Sequence, residues 1–384
     1  MRVLGLMSGT SADGVDAVLV ELSGSAEHPH WTLLRSASLD YPASTRQLIL
    51  AVGQGEAKTA SSLLNLSETI TKIQAAAACQ CDPEGQAQLV GCHGQTLWHR
   101  PPENAETGEL QHGASWQMLQ APLLAQLLKS PVIFDFRAAD LALGGQGAPL
   151  VPKADAALLG RTKGWRALLN LGGIANLTLI PPDAGPDRLL PVRGWDCGPA
   201  NSLIDLAMEQ FSEGKESCDE GGRLAASGHC DEALILRWLA EPYFQLSPPK
   251  STGREAFGRA DLTRRLQEMQ GQAIADQIAT LTAFSAAVVA QDLQQLSNQN
   301  HPLPIELVVA GGGSQNLTLM RELNRRCRGL RLRDSDELQL PSQSREAMVF
   351  ALLAWWHHLG YPGNAPAITG AKHEAVLGVR VNPA

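Results

Sequence analysis

The sequence predicts an α/β chain of two domains, and three observations carry that expectation. A strand–glycine turn–strand unit opens the chain, with apolar runs at residues 3–6 and 17–22 and a polar turn between them. The same design returns at 167–180, where Ala-Leu-Leu-Asn-Leu meets Gly172-Gly173 and a second strand follows Asn176. A length of 384 residues is long for a single domain.

A glycine turn between strands aims backbone N–H groups inward and lets an anion approach the main chain. Gly9, Thr10, Ser11, Ala12, Asp13, Gly14, Val15 and Asp16 are therefore the candidate phosphate cradle, with the Thr10 and Ser11 hydroxyls as further donors. Asp13 and Asp16 repel bare phosphate, which points to a nucleotide carrying Mg²⁺. An ordinary hairpin with a polar turn reads the same residues without a ligand. A Walker loop is excluded because no Lys follows the glycines, and a Rossmann fingerprint needs a helix where this chain has a strand.

Hydrophobic residues make up 44% and charged residues 18%, enough apolar surface for a full core. The net charge of −8 speaks against nucleic-acid binding. No leader-like pattern opens the chain and no apolar run reaches about 18 residues, so a soluble, cytoplasmic protein is expected. Seven cysteines share no repeated spacing, and Cys79, Cys81 and Cys92 complete no four-ligand zinc set. Reduced, mostly buried thiols and no metal site of cysteine type are expected.

Taken in order, residues 31–39 read as a strand closed by Tyr41-Pro42, and 43–80 as helices anchored by Leu48, Ile49, Leu63, Leu64, Ile70 and Ile73. Residues 89–96 read as a buried strand ending in His93, Gln95 and Thr96, the kind of strand end where α/β sheets hold ligands. His93 is either a substrate contact or a packed histidine, and His99 is read as packed or solvated. An acidic loop with Glu103, Glu106 and Glu109 follows. A helix over 118–128 carries Pro122 in its first turn, where proline is tolerated. A strand over 131–137 ends in Asp135 and Arg137, with Asp140 just beyond. The glycine-rich stretch 143–149 reads as a flexible linker or a hinge, and 152–159 as a helix.

Further on, Asp196 falls just behind a short strand, Gly198-Pro199 turns, and Asn201 or Ser202 caps the next helix. A carboxylate beside a helix N-terminus suits anion handling, and an aspartate that caps a turn is the alternative. Residues 210–230 read as a loop, and the donor-rich 248–255 as a ligand contact or a solvated connection. Residues 272–296 form a long amphipathic helix whose apolar stripe is core. A buried strand over 304–310 meets Gly311, Gly312 and Gly313, a turn open enough for a flat ring or a phosphate. The helix from 344 to 358 has Glu346 in its first turn, where a carboxylate also suits the helix dipole. The glycine-punctuated tail returns to the first domain.

In series these residues resemble the anhydro-N-acetylmuramic acid kinases of the sugar kinase, Hsp70 and actin superfamily. The resemblance runs nearly the whole length. It rests on Gly5-Leu-Met-Ser-Gly-Thr-Ser-x-Asp-Gly-x-Asp16, His93-Gly-Gln-Thr96, Asp135-Phe-Arg137 and Gly144-Gly-Gln-Gly-Ala-Pro-Leu150. It continues with Asn170-Leu-Gly-Gly-Ile-Ala-Asn176, Asp196 with Gly198-Pro199, the Pro-Pro-Lys-Ser-Thr-Gly-Arg-Glu run at 248–255, Ala310-Gly-Gly-Gly and Glu346-Ala347.

The resemblance implies two ribonuclease-H-like (actin-like ATPase) domains with a nucleotide cleft between them, the first at 1–145 plus 366–384 and the second at 146–365. It implies that 1,6-anhydro-N-acetylmuramate, ATP and water give N-acetylmuramate 6-phosphate and ADP in the recycling of peptidoglycan sugars. Asp196 matches the family's catalytic base. The opening turn matches its ATP turn, joined by Gly172, Gly173 and Asn176, with Gly311, Gly312 and Gly313 at the nucleoside. His93, Gln95, Thr96, Arg137 and Glu346 are the expected sugar contacts, with Arg137 pairing the lactyl carboxylate. The implied ligands are ATP, Mg²⁺ and the amino sugar, with no nucleic acid or membrane and a homodimer left open. Ala12 stands where the family often has Leu. Cys197 and Ala200 stand where it has Thr and Gly, which brings any hydroxyl contact at position 197 into question. Two other readings are a kinase of the same fold acting on an ordinary sugar or small alcohol, and an actin-like or Hsp70-like ATPase that drives partner binding.

Overall fold

Strand Arg2–Ser8 and the first half of strand Leu89–Arg100 are buried at nearly every position because both faces of their sheet are covered. The structure, a computed structural model, describes residues 1–104, 110–248, 250–253, 256–298, 301 and 303–384. Glu106 and Glu109 of the expected acidic loop, and Pro249, Arg254 and Glu255 of the 248–255 run, lie outside the described residues. The chain divides into two units, Met1–Gly160 with Ser344–Ala384, and Arg161–Gln343. Residues 146–160 and 344–365 were expected in the second domain and lie in the first unit. The physical reason is packing: helix Arg345–Leu359 lies against helix Val151–Leu159 and against the first sheet.

In the first unit, β1 (Arg2–Ser8), β2 (Gly14–Gly24) and β3 (Pro29–Asp40) form an antiparallel meander. The strand β4 (Leu89–Arg100) enters parallel beside β1. Beyond it, β5 (Glu103–Asn104) pairs with β6 (Leu110–Gln111), and β7 (Ala114–Met118) folds back on β4. Next, β8 (Val132–Phe134) runs parallel to β4, and Val379–Val381 closes the edge antiparallel to β8. The sequence ended the β4 strand at its polar residues, whereas pairing with β7 carries it on to Arg100.

Helix Arg345–Leu359 is buried without a break from Ala347 to Trp356. Such a helix needs apolar residues on all sides. It crosses β1 and β4 where Gly5 and Gly91 are register partners. A Cβ on Gly5 would overlap the Ala347 carbonyl, and one on Gly91 the Phe350 carbonyl, so helix backbone touches sheet backbone. The segment 143–149 is no flexible linker. Gly145 N donates to Asp140 O (2.9 Å) and Gln146 N to Thr369 O (2.8 Å). Gly147 N donates to Asp140 Oδ2 (2.8 Å), whose partner oxygen accepts from Asn364 Nδ2 (2.8 Å) and Thr369 Oγ1 (2.7 Å). A buried carboxylate thus fixes this loop to the tail, and this satisfaction of buried polar groups is what holds it.

The second unit repeats the plan. Antiparallel β9 (Arg166–Leu171), β10 (Ile174–Ile180) and β11 (Arg193–Pro199) are followed by β12 (Glu306–Ala310), parallel to β9, and β13 (Arg331–Asp334), parallel to β12. The order β11-β10-β9-β12-β13 matches β3-β2-β1-β4-β8 strand for strand. Its core is the 25-residue helix Ile274–Asn298. That helix is long and apolar enough to cross a membrane, yet 67% of its most apolar window is buried in the unit. The expected loop at 210–230 contains a turn at Glu220–Gly222 and the helix Arg223–Ser227.

Close backbone contact makes Gly91 a sensitive position. Gly91→Ala is expected to destabilise the first unit by about 1–3 kcal/mol or more, as overpacking does. A urea midpoint equal to wild type would contradict the contact.

Candidate active site

In the first unit the Gly9–Asp16 turn and the polar stretch of β4 are tied together. Ala12 N donates to Gly9 O (3.1 Å), which closes the turn. Gln95 Nε2 donates to the same Gly9 carbonyl (2.9 Å) and to Thr96 O (3.1 Å). Ser8 Oγ donates to Gly94 O (3.1 Å) and accepts from the buried Gln74 amide (2.9 Å). Among the described residues, the buried Gln95 Oε1 has no hydrogen-bond partner. Thr96 Oγ1 accepts from Gln117 on β7 (3.2 Å).

Within the turn, Ala12 and Val15 bury their side chains in the core, and Ala12 sits at φ 53. Gly14 is glycine because a Cβ there would lie 2.5 Å from the Leu39 carbonyl oxygen. Asp13 pairs with Arg46 (3.0 Å), and Asp16 accepts from Ser38 Oγ (2.9 Å). Burial raises the Asp16 carboxyl above its usual range; Ser38 opposes this, and the charges of Glu346, Asp13 and Asp40 add to it. Among the described residues, no group of three His, Cys, Asp or Glu side chains is placed to hold a metal by itself.

His93 and Arg137 form the second feature of this unit. His93 Nδ1 lies 2.8 Å from Gly94 O and 3.3 Å from Ser8 O. Both partners are acceptors, so Nδ1 carries the proton and Nε2 accepts from Arg137 Nη2 at 3.0 Å. Burial, then the Arg137 charge, push the imidazole down to about 3, so His93 is neutral at any physiological pH. Arg137 Nη1 donates to Gly147 O (2.7 Å). Burial lowers the guanidinium to about 10, opposed by Glu346 and Asp140, so it stays charged. Glu346 is in the first turn of its helix, next to the buried Arg345, whose Nη1 lies 2.5 and 2.6 Å from the two Asp155 oxygens. His99 adjoins this group: its Nδ1 pairs with Ser115 Oγ (2.9 Å) on β7, it also bonds the Gln146 backbone, and burial, then the Arg137 charge, lower its imidazole below the usual value.

In the second unit the sheet itself aligns the site. Asn170, Asn176 and Asp196 are register partners across β9, β10 and β11, so the three side chains share one face. Their neighbours Leu169, Leu171, Ala175, Leu177, Trp195 and Cys197 go to the buried face. Asn170 was not among the site residues expected from sequence. Only register shows that it lies opposite Asn176.

At the end of this row the Gly172-Gly173 turn gives its carbonyls to the following helix. Ala200 N and Ser202 N donate to Gly173 O (2.9 and 3.0 Å), and Asn201 N to Gly172 O (3.0 Å). These N–H groups are spent on the turn, and Asn201 makes no side-chain cap; its Nδ2 donates to Leu171 O (3.0 Å). The approach to the helix Ser202–Phe211 thus braces the turn with three N–H groups. The third turn packs on the second: a Cβ on Gly311 (φ 86) would lie 2.7 Å from Asn170 Oδ1, and one on Gly313 2.6 Å from Leu171 Cβ. Gly312 alone of the three faces open space.

Asp196 is held from several sides. Its Oδ2 accepts from Thr252 N (3.0 Å) and Ser251 Oγ (3.3 Å). Its N–H donates to Lys250 O (3.0 Å), and its carbonyl accepts from Tyr243 OH (2.8 Å). On the core side, Asp292 accepts from Lys250 Nζ (2.7 Å) and Trp195 Nε1 (2.9 Å). Cys197 also bonds Asp292, and burial pushes its thiol well above the usual range, so it remains a donor. The side chain at position 197 thus faces the core, away from the face that carries Asn170, Asn176 and Asp196.

Two units of one topology, each ending its first strand in a glycine turn, with a half-exposed carboxylate beside the second turn, define an actin-like ATPase fold equipped for phosphoryl transfer. The profile of the anhydro-N-acetylmuramic acid kinase family matches residues 1–383. The chain belongs to that family, and it is an ATP-using phosphotransferase of cell-wall recycling. It is 93% identical to an anhydro-N-acetylmuramic acid kinase of Synechococcus sp. (strain CC9311) and 65% identical to one of Prochlorococcus marinus (strain MIT 9313), each over 100% of both chains. Among solved structures it is similar to xylulose kinase from Rhodospirillum rubrum, at 13% identity and a TM-score of 0.42, covering 100% of this chain and 94% of that one.

The neutral state of His93 has a thermodynamic consequence. Its folded pKa of about 3 lies below the unfolded value of 6.5, so the unfolded chain binds the extra proton. Stability is full above about pH 6.5 and falls as pH drops toward 3, by up to about tenfold in the folding equilibrium per pH unit. His93→Gln should flatten that slope. Parallel urea midpoints of variant and wild type between about pH 7 and 4 would show the opposite.

Proposed function

We propose that Asp196 is the general base that opens the anhydro bridge. In a 1,6-anhydro sugar O6 is bonded to C1 and has no proton to give, so the base must act on water. Asp196 takes a proton from a water whose oxygen bonds C1. The C1–O6 bond breaks and its electron pair stays on O6. That oxygen bonds the γ-phosphorus of ATP, and ADP leaves with the pair from the broken P–O bond. The observation that supports this is the alignment of Asn170, Asn176 and Asp196 beside the Gly172-Gly173 turn, with Asp196 Oδ2 held by Thr252 and Ser251.

The phosphates are assigned to the Gly9–Asp16 turn and to Gly172, Gly173 and Asn176, and the nucleoside side to Gly311, Gly312 and Gly313, where Gly312 is open. Mg²⁺ fits Asp16. Its raised carboxyl among Asp13, Asp40 and Glu346 gains from a cation, and a metal that keeps water and phosphate ligands needs few protein ones. Bound there, Mg²⁺ would offset phosphate charge. The sugar is assigned to the first unit. Arg137 meets the lactyl carboxylate, with neutral His93 fixing its plane. Gln95 Oε1 accepts from a hydroxyl, and Thr96 and Glu346 supply further polar contacts. The working place is the cytoplasm, with amino sugar and ATP as partners, without nucleic acid or membrane, and with a homodimer as one assembly consistent with the reading.

Asp196→Asn keeps shape and removes the base. Phosphoryl transfer should fall by about 10²–10⁴ while nucleotide affinity stays near wild type. Near-normal turnover would remove Asp196 from the role. In ¹⁸O-water the product's C1 hydroxyl should carry label, and its absence would rule out hydrolytic opening.

A further inference from the structure

We infer that the buried Lys250–Asp292 pair positions the Asp196 carboxylate, an inference that rests on Asp196 being the base. Lys250 and Asp292 have side chains 2% and 1% exposed and lie 2.7 Å apart. Asp292 belongs to the core helix Ile274–Asn298 and also takes the Trp195 indole N–H and the Cys197 thiol. One carboxylate thus grips both residues that flank Asp196 on β11, from the face opposite to Asp196 itself.

The same carboxylate grips Lys250, and Lys250 leads the segment that holds Asp196. The Lys250 carbonyl takes the Asp196 N–H, and the next two residues bind Asp196 Oδ2. The ammonium lies 5.1 Å from the centre of the Tyr243 ring, whose hydroxyl donates to the Asp196 carbonyl. Three contacts to Asp196 therefore come from a stretch anchored to the core by one ion pair, and a fourth comes from the Tyr243 ring against which the ammonium packs. A buried pair is weak support for stability, since apolar replacements often do as well. A pair that fixes geometry is retained for another reason. The 248–255 run, which sequence left as either ligand contact or solvated connection, gains a role: its described residues 250–252 carry the base.

The test compares kcat with KM. Lys250→Met with Asp292→Asn removes both charges and keeps an acceptor for Trp195. In the full-length enzyme this double variant should fold, bind an ATP analogue within about twofold of wild type, and lose about 10–100-fold in kcat with little change in KM. Lys250→Arg, which keeps a cation for Asp292, should recover most of kcat. Tyr243→Phe removes one contact and no charge, and should cost kcat about fivefold; it serves if the double variant does not fold. Wild-type kcat in the folded double variant, or in Tyr243→Phe when the double variant does not fold, overturns the inference. So does a loss that appears equally in KM and nucleotide affinity. Asp196→Asn run beside them separates the two claims. If it turns over normally, the base assignment fails. If it is inactive while the pair variants are normal, only the positioning role fails.

Discussion

The pleat of the second sheet decides where chemistry is possible. Side chains alternate faces along a strand, so Trp195 and Cys197 enter the core and Asp196 must emerge on the other side. A slip of one residue would bury the carboxylate and expose the indole. The register of β9, β10 and β11 is pinned by the large apolar groups beneath it, and the polar row Asn170–Asn176–Asp196 is the reverse side of that packing. Core and site are here one constraint seen from two faces.

The glycine turns follow from the same economy of space. The carbonyls of Gly172 and Gly173 are satisfied by three backbone N–H groups, so the turn is shaped before any ligand arrives. Gly311 and Gly313 have no Cβ because the end of β9 occupies that volume. In the first unit, Gln95 and Ser8 lock the Gly9–Asp16 turn to the strand that carries His93. Preorganised polar groups of this kind cost no rearrangement when charge develops.

Much of this was legible in the sequence. The strand–glycine–strand units and the long core helix are local patterns, and local patterns survive folding, whereas Asp196, expected just behind a short strand, lies within β11 because pairing with β10 carries that strand on through Gly198-Pro199. The chain's division was misplaced because Gly144, Gly145 and Gly147 look flexible until Asp140, Asn364 and Thr369 are brought to them. Asn170 escaped notice because its partner is defined by register, and the use of the Ala200, Asn201 and Ser202 N–H groups by the Gly172-Gly173 turn is equally invisible in sequence. The part of Lys250 depended on Asp292, a residue 42 positions away inside an apolar helix.

The contact at Gly5 and Gly91 works as a ruler. Where side chains separate a helix from a sheet, each exchange of a core residue changes the spacing and neighbouring elements drift. Here main chain rests on main chain, a distance no such exchange can alter. Glu346 at the head of that helix, Ser8 at the end of β1 and His93 two residues past Gly91 on β4 are therefore referenced to a common hard stop. The surrounding hydrophobic residues can be exchanged while the polar groups at this corner keep their separation, provided that these two positions carry no side chain.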